Sequence, residues 1–89
     1  MNSNTNEKQQ PVHEFRVGGV KAVIWKNQTR NGVMFSTSLV RIYKDAEDQW
    51  QETHSLGRDD LLAASKVLDQ AHSYIIEEEQ AERSENEAA

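Results

Sequence analysis

The chain has 89 residues, of which 36% are apolar and 28% charged, and its formal net charge is −5. This length accommodates one small domain, and the absence of cysteine excludes disulfides and thiolate metal ligands. The first residues lack the apolar segment that is typical of a signal peptide, and no apolar run is long enough to span a membrane. We therefore expect a soluble, cytoplasmic protein without a membrane partner. Because a core of this size buries little surface, we also expect an oligomer.

The first residues and the last residues have the composition of disordered segments. Residues 1–12 are polar and almost uncharged, so we predict a disordered arm there. Residues 79–89 are predicted to form an acidic tail that either frays from the end of a helix or is disordered, and the domain is predicted to span residues 13–78.

Apolar residues that follow the arm predict β-strands. Two adjacent glycines at 18–19 interrupt the first apolar run, so we expect a bend or a bulge there. The Asn-Gly pair at 31–32 predicts a hairpin turn, because both residue types accept positive φ. A second long strand is predicted at residues 33–44, and a shorter strand begins at residue 50.

The period of the apolar residues changes after the last strand. Apolar residues now recur at three- and four-residue steps, which predicts one amphipathic helix of roughly five turns. Asp59 and Asp60 fall in its first turn, where carboxylates favour the positive end of the helix dipole. The predicted fold class is α+β, a curved antiparallel sheet of about four strands followed by one long C-terminal helix (ββββα). The helix residues expected in the core are Leu61, Ala64, Leu68, Ala71 and Ile75.

The sequence contains no recognisable catalytic constellation. His13, His54 and His72 do not have the spacing of a helical metal pair. Asp59 and Asp60 are adjacent, so they point in different directions around a helix and do not converge as an acid–base pair. We therefore expect no enzymatic activity, no metal, no cofactor and no small-molecule substrate.

The charges are distributed unevenly along the chain. Residues 77–89 contain six Glu and one Arg, whereas residues 15–44 contain six basic side chains and no acidic one. Aromatic residues are interleaved with these bases, and proteins that hold single strands combine a positive track with rings on which bases stack. Two other interpretations stay open: aromatic residues of a small sheet often fill the core, and bases on strands discourage aggregation.

Four features in chain order extend this interpretation. An aromatic-x-aliphatic-Gly sequence stands at residues 15–18, and a basic strand ends at residues 25–26. A glycine-led strand then runs from residue 32 to Arg41 and Tyr43, and an acidic turn and a short strand precede the helix. Over residues 14–76 this pattern resembles the single-stranded-DNA-binding domain of the transcriptional coactivator family positive cofactor four, a relative of the Whirly fold.

The resemblance implies a dimer in which the helices of two subunits pair, and the helix face of Leu61, Leu68 and Ile75 then contacts both the sheet and the partner helix. It also implies that single-stranded DNA crosses the β-ribbons. This chain differs from the family pattern in having a lone Arg58 before the helix and an acidic tail after it. Both differences predict weaker or regulated binding.

The sequence thus favours a homodimer that binds single-stranded DNA or RNA with little sequence preference. The alternative is a protein-interaction or adaptor module on the same scaffold. The candidate nucleic-acid contacts are Arg16, Lys21, Trp25, Lys26, Arg30, Arg41, Tyr43 and Lys44.

Overall fold

The computed structural model describes residues 10–88, with side chains described for residues 10–83. The predicted fold class is confirmed: four antiparallel strands are followed by one C-terminal helix. The elements are β1 (Pro11–Val17), β2 (Val20–Thr29), β3 (Gly32–Lys44), β4 (Trp50–Thr53), a 3₁₀ turn (Arg58–Asp60) and α1 (Leu61–Ala88).

The four strands form a meander in which each strand pairs with the next one in the chain. Gly18, with φ +61°, lies in the tight turn that joins β1 to β2. The glycine pair therefore separates two strands and does not bend one. The second hairpin is formed as predicted, but its two-residue loop is Arg30–Asn31. The positive φ of +120° belongs to Gly32, the first residue of β3.

The core lies between β2 and the helix. The even-numbered residues at the start of β2, Val20, Ala22 and Ile24, are buried against three residues of α1. Those three are Ala64, Val67 and Ala71. Burial of a Val- or Ile-sized side chain contributes roughly 1.5–3 kcal/mol. Phe15 and Leu39 pack around this cluster from the neighbouring strands.

The helix presents a different side to the sheet from the one that the largest apolar residues predict. Ala64 and Ala71 are buried as predicted, but Leu61 is 53% exposed and Leu68 is 42% exposed. Val67, which was not among the predicted core residues, is fully buried in the core. Ile75 is partly buried at the margin of the core.

Both predicted domain boundaries differ from those of the structure. The sheet begins at Pro11, so the last two residues of the predicted arm belong to β1, while residues 1–9 lie outside the described residues. The helix continues to Ala88 and does not end near residue 78. Residues 79–88 are therefore helical, which corrects the predicted disordered tail. Glu, Gln, Ala and Arg are strong helix formers, and an ion pair between Lys26 and Glu82 (2.8 Å) ties this segment to β2.

The turn between β3 and β4 is organised by one carboxylate. Asp45 accepts hydrogen bonds from the backbone N–H groups of Glu47 and Gln49, both at 2.9 Å, and from the Gln51 side chain at 3.0 Å. These hydrogen bonds lower the pKa of Asp45, and the bond from Gln49 has the largest effect. The same turn contains Asp48, whose φ of 66° is the only positive value at a non-glycine residue in the described part of the chain.

We expect Asp45→Asn to destabilise the domain at neutral pH and much less in acid. A carboxyl group whose pKa is lowered by folding stabilises the fold above its unfolded pKa of about 4, and this stabilisation is lost as the pH falls through the folded value. Urea unfolding of both proteins between neutral and acidic pH measures the difference. Glu47→Gln is the control, because that carboxylate makes no hydrogen bond within the described residues. A difference between wild type and Asp45→Asn that does not change with pH would contradict this role.

Candidate nucleic-acid interface

The alternation of side chains along each strand divides the candidate residues between two faces of the sheet. The helix covers one face. The opposite face, which we call the open face, carries the candidates Arg16, Lys21, Trp25 and Lys44, together with Glu14, Ser38, Trp50 and Glu52. Lys26 is two residues beyond the buried Ile24 and therefore lies on the helix side. Arg41 and Tyr43 are on the helix side for the same reason, because Arg41 pairs with the buried Val20.

The open face is concave. A cavity of about 450 Å³ is lined by residues that come from β1, β2, β3 and the end of β4. Trp25 is one of its lining residues, and the indole Nε1 donates a hydrogen bond to Ser38 Oγ at 3.3 Å on the neighbouring strand. The other lining residues are Pro11, Glu14, Lys21, Val23, Val40, Glu52 and His54. A partly exposed, anchored indole in a cavity of this size is a suitable surface for a flat ligand.

Lys21 lies between two carboxylates in this cavity. Its Nζ is 4.0 Å from Glu14 on β1 and 3.6 Å from Glu52 on β4. The Lys21 side chain is only 20% exposed, whereas both glutamates are about half exposed. The positive charge of Lys21 is therefore balanced locally, and the centre of the open face is less basic than the sequence of β2 suggests.

A second aromatic group lies at the end of the β3–β4 hairpin. Trp50 is 64% exposed, and Lys44 Nζ lies 5.3 Å from the centre of its ring. Lys44 also forms an ion pair with Asp48 at 3.3 Å. Trp50 was not among the candidate residues. The signal that identifies it is its position in the hairpin, directly opposite Lys44.

The helix-side bases connect the sheet to the helix. Lys26 donates a hydrogen bond to Glu82, and this contact raises the pKa of Lys26. Arg41 Nε lies 3.3 Å from Asp60 Oδ2 and also donates to the Ser55 carbonyl at 3.3 Å. Lys26 therefore connects the sheet to the C-terminal part of the helix, and Arg41 connects it to the turn before the helix. Tyr43 is the exposed neighbour of Arg41, with its ring centre 5.4 Å from the guanidinium carbon.

In the folded chain, most bases of the acid-free segment 15–44 lie next to carboxylates from other parts of the chain. Four of its six bases have a carboxylate partner, and these partners come from β1, the β3–β4 turn, β4 and the helical part of the chain. Arg16 donates to the Gly18 carbonyl, and Arg30 lies exposed in the β2–β3 loop. Neither of these two forms an ion pair within the described residues. The paired bases are Lys21, Lys26, Arg41 and Lys44.

We expect Arg41→Gln to lower the free energy of unfolding by about 0.5–1 kcal/mol, the size of a partly exposed ion pair. The variant loses the contacts with Asp60 and Ser55 that connect β3 to the start of the helix. Urea unfolding followed by circular dichroism measures the change. Arg30→Gln is the matched control and is expected to leave stability unchanged. Equal effects of the two substitutions would contradict a structural role for Arg41.

Comparison with known proteins adds no relative. No protein-family model, no curated protein and no solved structure matches this chain. The resemblance to positive cofactor four therefore stays a prediction that rests on the sequence pattern. Within the described residues, no helix is long and apolar enough to cross a membrane. Those residues also contain no group of three or more His, Asp or Glu side chains arranged to hold a metal ion.

Proposed function

We propose that this chain is a non-enzymatic protein that binds single-stranded DNA or RNA across the open face of its sheet, as a homodimer. One observation carries the proposal: the open face is concave, is not covered by the helix, and combines basic side chains with two indole rings. A positive groove with flat side chains is the combination that holds single strands, because phosphates follow the charges while bases stack on the rings.

The open face divides these two tasks among different residues. Arg16 on β1 and Lys44 at the end of β3 are placed to neutralise phosphates. Trp50 offers an exposed ring beside Lys44, and Trp25 offers an anchored one in the cavity. Stacking and phosphate contacts by themselves carry little sequence preference. The ion pair of Lys44 with Asp48 does not prevent this use, since an exposed pair contributes little and exchanges readily for a phosphate contact.

The dimer part of the proposal rests on the outer side of the helix. The helix packs mainly on β1 and β2, and Leu61 and Leu68 are left half exposed beside the partly buried Ile75. Residues seven apart lie nearly in line on a helix, so these three side chains form one apolar stripe. A second copy of the chain that covers this stripe removes it from water and supplies stability that a small core lacks.

Charge reversal on the open face tests the binding proposal. We expect Lys44→Glu to weaken the binding of single-stranded oligonucleotides and to reduce the slope of log affinity against log salt by about one, because one phosphate contact is lost. Fluorescence anisotropy of labelled single strands, titrated at several salt concentrations, measures both quantities. Lys66→Glu is the matched control, since Lys66 is exposed on the helix. An equal loss in both variants would mean that only net charge matters and that the open face is not the site.

Charge insertion on the helix tests the dimer. We expect Leu68→Glu to dissociate the dimer, because the substitution places a carboxylate in the apolar stripe. Leu62→Glu is the matched control: Leu62 is 85% exposed and, six residues away, faces a direction about 120° from Leu68. Sedimentation equilibrium gives the mass of each protein. A monomeric wild type, or a dimer that survives Leu68→Glu, would contradict the assignment of this stripe.

A second candidate function is a protein-interaction module on the same face. It is favoured by the exposure of Met34 and Trp50 on the same face as Lys21 and Lys44, two bases that already have carboxylate partners. Such a module binds a protein segment and shows neither a preference for single strands nor a steep salt dependence. Absence of oligonucleotide binding by the wild type at low salt would favour it over the first proposal.

A further inference from the structure

We propose that the end of the β2–β3 hairpin carries a second contact site for single strands on the helix side of the sheet, and that the C-terminal part of α1 covers this site until a strand displaces it. This inference rests on the proposed function and goes beyond it, because it adds a site on the other face and a means of regulation. Its starting point is the cross-strand pair of Lys26 with Phe35 and the contact of Lys26 with the helix.

The end of the β2–β3 hairpin is a ribbon of two strands. Within the described residues, β1 pairs with β2 only as far as Trp25, and β4 pairs with β3 only from Arg41 onwards. Residues 26–29 and 32–35 therefore pair with each other and with no further strand of the described chain. The helix side of this ribbon can be reached from the solvent wherever α1 does not cover it, and the Lys26 side chain is 38% exposed.

Lys26 and Phe35 form the same kind of unit as Lys44 and Trp50 on the open face. In both pairs a lysine lies directly opposite an aromatic residue on the neighbouring strand. Directly opposite side chains point to the same face, with Cβ atoms about 4.5–5.5 Å apart. Each pair therefore offers a charge for a phosphate beside a ring for a base. The two units differ in their surroundings, because Trp50 is 64% exposed whereas Phe35 is partly buried.

The acidic end of α1 covers this second unit. In the described part of the chain, the apolar side chains with which α1 packs on the core end at Ile75, and residues 77–83 contain four Glu and one Arg. Lys26 Nζ donates a hydrogen bond to Glu82 Oε2 at 2.8 Å, so a carboxylate oxygen occupies a position where Lys26 would hold a phosphate oxygen. A cleft of about 600 Å³, lined in part by Phe35 and Glu79, separates the rest of the ribbon from the helix end.

The contact between Lys26 and Glu82 is weak enough for a strand to displace it. Both side chains are more than one-third exposed, and such ion pairs contribute little because water and salt screen them. A phosphate that binds Lys26 takes the place of the Glu82 carboxylate, so docking of the helix end and binding of a strand at this site exclude each other. By linkage, a change that loosens the helix end raises the affinity for the strand.

The test is a double-mutant cycle on the affinity for a labelled single-stranded oligonucleotide, measured by fluorescence anisotropy at low salt. We expect Glu82→Gln to raise the affinity about two- to fivefold, the factor that corresponds to an exposed ion pair. Glu77→Gln makes the same change of charge on the flank of the helix that faces β1, and we expect a smaller gain from it. In the Lys26→Gln background, we expect Glu82→Gln to gain no more than Glu77→Gln does.

Each outcome of this cycle bears on a different claim. A gain in Glu82→Gln no larger than that in Glu77→Gln overturns the covered site, because net charge alone then explains it. A gain from Glu82→Gln that persists in the Lys26→Gln background also overturns it, because the uncovered group is then not Lys26. In both cases single-strand binding across the open face stands. Absence of binding by the wild type and by every variant at low salt overturns the proposed function itself.

Discussion

The packing of α1 against the even-numbered residues of β2 is the interaction on which the rest of the structure depends. Val20, Ala22 and Ile24 are buried under the helix, and their small partners Ala64 and Ala71 let the helix approach the sheet closely. Because side chains alternate along a strand, this burial fixes the face of every other residue in β2 and, through the register, in β1 and β3. Lys21 and Trp25 must therefore point to the open face, and Lys26 must point to the helix.

The same constraint explains why the basic segment does not form one continuous positive surface. A segment that runs through two paired strands supplies residues to both faces of the sheet in nearly equal number. The bases on the helix side then meet the acidic residues of the helical part of the chain, as in the pairs of Lys26 with Glu82 and of Arg41 with Asp60. Most of the bases in residues 15–44 therefore pair with carboxylates of the same chain. Arg16 and Arg30 form no ion pair within the described residues.

The fold class could be predicted from the sequence because it depends on two periods, two for the strands and about 3.6 for the helix. The rotation of the helix could not, because the size of apolar side chains favours Leu61 and Leu68 for the core, whereas close packing favours Ala64, Val67 and Ala71. The helical end of the chain was missed because its many Glu residues suggest a solvated tail. Their helix propensity and the contact of Glu82 with Lys26 outweigh the repulsion between them. The ion pairs of Lys21 with Glu14 and Glu52 could not be predicted from the sequence either, because they depend on how β1 and β4 are positioned relative to β2 in the folded sheet.

Under the proposed function, the charges on the open face bear on the orientation of a bound single strand. Lys21 lies between Glu14 and Glu52, Arg16 is its direct cross-strand partner on β1, and Lys44 lies at the end of β3. A strand that turned its phosphates to Glu14 and Glu52 would meet carboxylates, and one that turned its bases there would meet the ring of Trp25. The proposed binding mode therefore directs bases to Trp25 and phosphates to Arg16 and Lys44, the two open-face bases that lie away from Glu14 and Glu52 or pair only with an exposed carboxylate.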